Sequence, residues 1–280
     1  MSDAAPPSVL ASLREFSYAS DLLPWSDRQV PDLAEEFHEA SKIHAPFPGQ
    51  GLGPGGRRLA AFPQMAFELG RKALAYAGEC IELPRAQAVG TDLRDIAVGR
   101  RSALPQRCAP ITIAELATVL ELCASAPETR PAYRVVPSAG AMFPIDVMVI
   151  VNCVTGLAPG AYVYDAVAHG LLPRGNTDPI GFHRAAGGDT AAPPLPSVTL
   201  ALVATFARTR VKYGLRGYRF ALLEAGHIAQ AAISGATAMD LATLPWGGFI
   251  DNSVNQQLDL DGTDRSCVYL VALSADDEDA

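Results

Sequence analysis

The sequence predicts an α+β sandwich, and three observations carry that expectation. Apolar runs without alternation at 146–153, 198–206 and 267–273 read as buried strands. Long helical patterns accompany them, above all at 112–126 and about 216–240. A Gly-Leu-Ala-Pro-Gly turn at 156–160 joins the first strand to a short second one, 161–165, as a hairpin. Few strands, long helices and a hairpin do not make the βα alternation of a doubly wound parallel sheet.

In chain order, residues 1–90 read as a helical extension packed on the main domain. Residues 32–43 carry a helical pattern after Pro31, 46–56 is a Gly/Pro-rich break, and about 64–80 carries another helix. From residue 91 the pattern changes. A short helix at 92–98 leads to the basic turn Arg100-Arg101-Ser102. Thr112 and Glu115 have capping-box spacing, and Leu116, Val119, Leu120 and Cys123 share a face of the helix that follows. Residues 127–143 form a loop into the first strand. The Gly/Pro-rich stretch 170–196 is expected to be a mobile loop over a site. The main domain ends at 275, and 276–280 is an acidic tail.

The chain has 280 residues, 49% of them hydrophobic and 19% charged, which suffices for a full core. A net charge of −8 argues against nucleic acid as the main partner, because phosphate contacts need a concentrated basic face. The five cysteines are scattered without a C-x-x-C pair, so neither a disulfide framework nor a zinc knuckle follows from their spacing. Cys153 and Cys267 lie in apolar runs, where a free thiol packs as a small hydrophobe. There is no signal-peptide pattern and no apolar run that spans a bilayer, so the expectation is a soluble cytoplasmic protein without a membrane partner.

Residues 212–230, KYGLRGYRFALLEAGHIAQ, set polar groups among residues that want burial. Lys212 and Tyr213 are expected at the end of the second long strand, before a Gly-containing turn, where a desolvated lysine can act as a base. Glu35/His38 and Glu224/His227 have the Glu-x-x-His spacing of di-iron bundles, but strands and 22 prolines do not make a bundle, and no metal is expected. Arg100, Arg101 and Ser102 suit a phosphate through charge-assisted hydrogen bonds, while a solvated basic turn fits the same residues. Small residues at Pro137-Ser138-Ala139-Gly140 and at Gly247-Gly248 let a planar ring approach the backbone. The dinucleotide fingerprint, the P-loop and the G-x-S-x-G elbow are all absent from the sequence.

In order, Arg100-Arg101-Ser102, PSAGAMFP (137–144), GLAPGAYVYD (156–165), KYGLRGYR (212–219), EAGHIAQ (224–230) and GGF (247–249) resemble the SagB-type dehydrogenases. These are FMN-dependent members of the nitroreductase superfamily that oxidise azolines to azoles in thiazole- and oxazole-bearing peptides. The resemblance covers about residues 90–274. It implies a nitroreductase-like three-layer sandwich, a mixed central sheet flanked by helices, and a homodimer with FMN at the subunit interface. It further implies that Arg100 and Ser102, with Arg101 nearby, bind the FMN phosphate and ribityl chain. Pro137, Ser138, Ala139 and Gly140 would line the isoalloxazine, and Gly247 and Gly248 would approach it from the other side. Lys212 and Tyr213 match the catalytic base and its partner. A cyclodehydratase is the implied partner protein, and the substrate is a peptide or small-molecule heterocycle.

Two other readings stay open. One is a nitro or quinone reductase that uses NAD(P)H. The other is a flavin-less scaffold subunit of a peptide-modifying complex, which draws on Leu104, an apolar residue where the resembling pattern carries another basic one.

Overall fold

The structure is a computed structural model that describes residues 33–42, 78–103, 108–175, 177–187 and 195–275. The Gly/Pro-rich break, most of the helix expected at 64–80, Leu104 and the acidic tail lie outside the described residues. The chain divides into two compact units, 1–45 and 46–280. In the first, helix α1 (Leu33–Ala40) falls inside the expected 32–43 pattern.

The second unit is built on a seven-stranded sheet. Its strands are β1 (Ile81–Glu82), β3 (Ile145–Val151), β5 (Gly160–Asp165), β6 (Gly170–Pro173), β7 (Val198–Thr205), β8 (Leu241–Trp246) and β9 (Arg265–Ala275). They lie in the order β1-β6-β5-β3-β7-β9-β8, with antiparallel pairing throughout. Among the described residues, parallel pairing occurs in a two-stranded ribbon of β2 (Ile111–Thr112) and β4 (Val154–Thr155) and at the isolated bridge of Ser102 with Thr243.

Uninterrupted apolar strands need cover on both faces, and the sheet has it. Val147, Val149, Val151, Leu200 and Leu202 point into a core shared with α3 (Ile113–Ala124) and α6 (Arg216–Thr237). The alternate residues Met148, Ile150, Ala201 and Val203 pack with Phe182 of α4 (Pro179–Gly187) and Val254 of α7 (Asp251–Gln257). The result is three layers, helix on sheet on helix. A short helix α2 (Leu93–Gly99) and the helix α5 (Phe206–Tyr213) complete the unit.

The capping box at Thr112 and Glu115 forms as its spacing requires, with the Glu115 N–H donating to Thr112 Oγ1 at 3.1 Å and the Thr112 N–H to Glu115 Oε2 at 2.6 Å. Helix α6 turns alanines 221, 225, 229, 232 and 236 inward, which lets it sit close on the sheet and α3. Among the described residues no helix is long and apolar enough to cross a membrane.

Three expectations are corrected. Residues 170–187 hold β6 and α4 in place of a mobile loop, because Leu171 and Leu172 extend the hairpin and Phe182 and Ala186 cover the far face of the sheet. Lys212 and Tyr213 do not stand at a strand end. The chain passes from β7 directly into α5, whose last turn carries both residues. Cys153 is not a free thiol but is bonded to Cys108, with Cα atoms 6.5 Å apart. The partners come together because Asn152 and Cys153 leave β3 beside Pro196 and Ser197, the same place the segment before β2 reaches.

Candidate functional site

Sheet direction decides where the singled-out residues can meet. Ile145, at the start of β3, pairs with Ala204 near the end of β7, and Thr205 pairs with Arg265 at the start of β9. Strand β8 runs antiparallel to β9 and ends at Trp246. Three loops therefore leave one end of the sheet: 137–144 into β3, α5 out of β7, and Gly247-Gly248 out of β8.

The first two of these meet. Gly140 has φ +62°, and a β-carbon there would touch the Tyr213 hydroxyl and stand 2.6 Å from Lys212 Nζ. Only glycine leaves room for both groups against the backbone while taking that conformation. Lys212 Nζ also lies 5.2 Å from the centroid of the Tyr213 ring, which packs edge-on against Phe220 of α6 at 5.0 Å. The lysine and the tyrosine are half-buried, and Pro137 and Gly140 are exposed.

The loop is under strain. Ala141 and Phe143 have φ +53° and +43°, so the left-handed region recurs at two residues that disfavour it. Neighbours hold it there. The Phe143 N–H donates to Ser138 Oγ at 2.9 Å, and Arg208 Nη1 donates to the Phe143 carbonyl at 2.9 Å. The Arg134 guanidinium lies 4.6 Å from the centroid of the Phe143 ring.

Arg208 was not singled out by sequence, yet it ties the site together. Its two terminal nitrogens each donate at 2.9 Å to a different carboxylate oxygen of Asp146, and the side chain is 3% exposed. One guanidinium thus joins α5, the strained loop and the start of β3. The signal was an arginine four residues before Lys212, one turn away on a helix that the sequence reading had drawn as a strand end. The turn from α5 into α6 is equally close-packed: a β-carbon at Gly217 would meet the Thr209 carbonyl carbon at 2.7 Å. Phe206 and Tyr218 stack across it at 4.5 Å.

Glu224, considered above with His227 as a metal pair, has a different position. His227 faces solvent, whereas Glu224 is 4% exposed beneath the loop. Burial pushes its carboxyl up to about 7, against opposing hydrogen bonds from the Ser138 side chain and the Ile145 N–H and the attraction of Arg134 and Arg208. Its Oε2 has no hydrogen-bond partner.

Arg100, Arg101 and Ser102 lie along β8. Ser102 bridges to Thr243, and the Ala103 N–H donates to the Thr243 carbonyl at 2.9 Å. Thr243 is four residues before Gly247, about 13 Å along an extended strand. Arg100 Nη1 approaches Ser102 Oγ at 3.3 Å, so guanidinium and hydroxyl face solvent side by side. Arg101 turns the other way and donates to the carbonyls of Val98 and Arg100, at 2.7 and 2.9 Å. Gly248 has open space where a side chain would stand, and a β-carbon at Gly247 would meet the Tyr269 ring at 3.7 Å.

These features fit a phosphate-bearing planar group. Arg100 and Ser102 offer adjacent exposed donors, Gly248 leaves backbone uncovered, and the 137–140 turn presents exposed backbone beside two polar side chains. The structure joins Lys212, Tyr213 and Gly140 directly. It joins Arg100–Ser102 to Gly247-Gly248 through one strand.

A layered α+β unit with this loop cluster at one sheet end defines the class, and comparison with known proteins names it. The pattern of the nitroreductase family matches residues 98–273, and the chain belongs to that family. MJ1384 of Methanocaldococcus jannaschii, named for nitroreductase activity, is 31% identical over 179 residues, which are 64% of this chain and 88% of that protein. The microcin B17-processing protein McbC of Escherichia coli is 30% identical over 144 residues, 49% of this chain and 52% of McbC. The chain thus matches about half the length of McbC. In a structure of the Escherichia coli microcin synthetase McbBCD complex with truncated pro-MccB17, one chain has the same fold. Its TM-score is 0.57 at 21% identity, with 98% of this chain and 95% of that chain covered.

Proposed function

We propose that this chain is an FMN-dependent dehydrogenase of the SagB type, which oxidises an azoline or related heterocycle in a peptidic substrate to the azole. The observation that carries the reading is the packing of Lys212 and Tyr213 on Gly140. The two residues of the resembling catalytic pair meet the loop that would line the flavin, in one subunit and on one end of the sheet.

FMN, when bound, supplies a two-electron acceptor. Arg100 and Ser102 hold its phosphate by charge-assisted hydrogen bonds, and the backbones of 137–140 and Gly247-Gly248 admit the ring. Lys212 takes a proton from the ring carbon of the azoline, and the Tyr213 hydroxyl orients or relays that proton. The substrate loses one proton and one hydride, a change of about 2 Da. The pathway relatives support a peptide substrate and a partner that installs the azoline, a cyclodehydratase.

The homodimer is part of this reading. Helix α6 and the turn before it expose Leu215, Tyr218, Leu222 and Leu223 on one side, at 36–59%. An apolar stripe of this length calls for cover, and a second copy supplies it at an interface above about 2,000 Å². Leu223→Lys should shift light scattering from dimer to monomer, and a monomeric wild type with flavin bound would refute this part.

The test of the function is mass spectrometry of an azoline-containing peptide incubated with the protein in air. A loss of about 2 Da, dependent on FMN, is expected. An unchanged peptide, together with NAD(P)H-driven reduction of nitro compounds, would favour the reductase reading. Purified protein that takes up no flavin would favour the scaffold reading.

A further inference from the structure

A cavity of about 430 Å³ opens between residues 134–147 and the turn from β5 to β6, at the end of the sheet where β3 begins and β5 ends. Val136, Ile145, Val147, Leu172 and Ile228 give it apolar walls, and the exposed Val167 and Ala168 form its rim. Its described lining contains Phe143 but none of Gly140, Lys212 and Tyr213, so it is distinct from their contact. The volume suits a small organic group with a few polar anchors.

The polar side chains of the lining can be accounted for one by one. Both Asp146 oxygens accept from Arg208 at 2.9 Å. His169 Nε2 donates to the Pro84 carbonyl at 3.0 Å, so its Nδ1 accepts the Tyr164 hydroxyl at 2.8 Å. Asp165 Oδ1 accepts the N–H groups of Val167 and Ala168, at 2.8 and 3.0 Å. Two groups keep open valence. Glu224 is 4% exposed, and its Oε2 has no hydrogen-bond partner. Arg134 spends Nη1 on the Tyr133 carbonyl at 3.0 Å and lays its guanidinium on the Phe143 ring at 4.6 Å. Its Nε and Nη2 make no hydrogen bond among the described residues.

We propose that this cavity binds a primary carboxamide carried on an apolar or aromatic body: an amide N–H donates to Glu224 Oε2, and the amide oxygen accepts from Arg134. A bare buried acceptor is costly, and a ligand that covers it recovers that cost. The same ligand must present an acceptor to the guanidinium, and a carboxamide carries both groups in one plane. Apolar walls penalise a charged head, and burial already raises the Glu224 carboxyl to about 7. A neutral amide therefore fits better than an ammonium. Its source is the side chain of Asn or Gln in a bound peptide, or a free small amide.

The inference rests on neither flavin nor Lys212, and calorimetry on the full chain without added flavin tests it. Benzamide should bind at one per chain with Kd on the order of 1 mM, as its size allows. N,N-dimethylbenzamide, which lacks the donor, should bind at least about tenfold more weakly. Glu224→Leu and Arg134→Leu should each weaken benzamide about tenfold or more, with melting curves confirming the fold. Arg134 lies at the surface, so its variant reads the site even where the buried substitution disturbs packing. N-acetylglutamine methylamide binding tighter than benzamide upholds the site and assigns it to a peptide side chain, and the reverse order upholds it for a free amide. No saturation by either amide up to about 10 mM, a cavity that holds water only, would overturn the proposal. So would equal binding of the dimethyl compound, tighter binding of benzylamine, or indifference to both substitutions.

Discussion

A β-carbon on Gly140 would stand 2.6 Å from Lys212 Nζ, so these two residues, 72 positions apart, occupy one another's space. The Tyr213 hydroxyl presses on the same point. Because both obstacles are ends of side chains, Gly140→Ala displaces them without unfolding the protein. The αL strain of alanine costs about 1–2 kcal/mol, roughly a 2–8 °C fall in Tm for a unit of this size. Turnover should fall further, by about 10²-fold, because a reacting group moved by about 1 Å loses its geometry. Thermal melts and turnover on the same preparation check the split. Equal and small losses in both would show that the contact has no functional consequence.

Lys212→Ala should cut turnover by about 10²–10⁴ while bound flavin and its spectrum stay as they are. Tyr213→Phe should cost less, because its ring still packs on Phe220 and only the hydroxyl is lost. Steady-state rates beside flavin content settle the point. If flavin and activity are lost together in Lys212→Ala, the lysine has a structural role.

Stability should depend on pH through Glu224. Its folded value of about 7 lies above the ordinary 4.5, so the folded chain holds a proton that the unfolded chain releases between them. The stabilisation is complete below about 4.5 and is lost as pH rises through about 7, a change on the order of 3 kcal/mol. His183, buried and held down to about 4, works in the opposite sense, since its folded form stays neutral while the unfolded form takes up a proton. Urea denaturation of wild type and Glu224→Gln across pH 4.5–8 cancels the histidine. The difference between the two curves should run along this window, and a flat difference would contradict the buried position of Glu224.

The central strands were legible because burial on both faces leaves mostly apolar residues in β3 and β7. Strand β8 was not, since Leu241–Trp246 is short and contains Pro245. A proline is tolerated there because β8 is the last strand of the sheet, and on its outer side the described residues show a bridge at Thr243 and not a ladder that reaches Pro245. Helix α5, FARTRVKY, is mostly polar and has no apolar stripe to announce it, so Lys212 was expected at a strand end. Of the site, the six blocks and the Lys212–Tyr213 pair were expected through the resemblance their order carries and not from residue types alone. Their assembly was not. The Gly140 contact, the Arg208–Asp146 clamp and the Cys108–Cys153 bond are long-range meetings that spacing does not encode. Glu224 was noticed for its spacing from His227, whereas its burial is a property of the packed helix.

The account stands on Arg100 and Ser102 as the phosphate end of an FMN site, and a flavin titration of the apo protein tests that most directly. The wild type should bind about one FMN per chain. Arg100→Ala should weaken FMN by about 10- to 150-fold, the worth of a hydrogen bond to a charged group, while riboflavin, which lacks the phosphate, binds both proteins equally. No flavin uptake by the wild type, or an FMN affinity indifferent to Arg100→Ala, would contradict it.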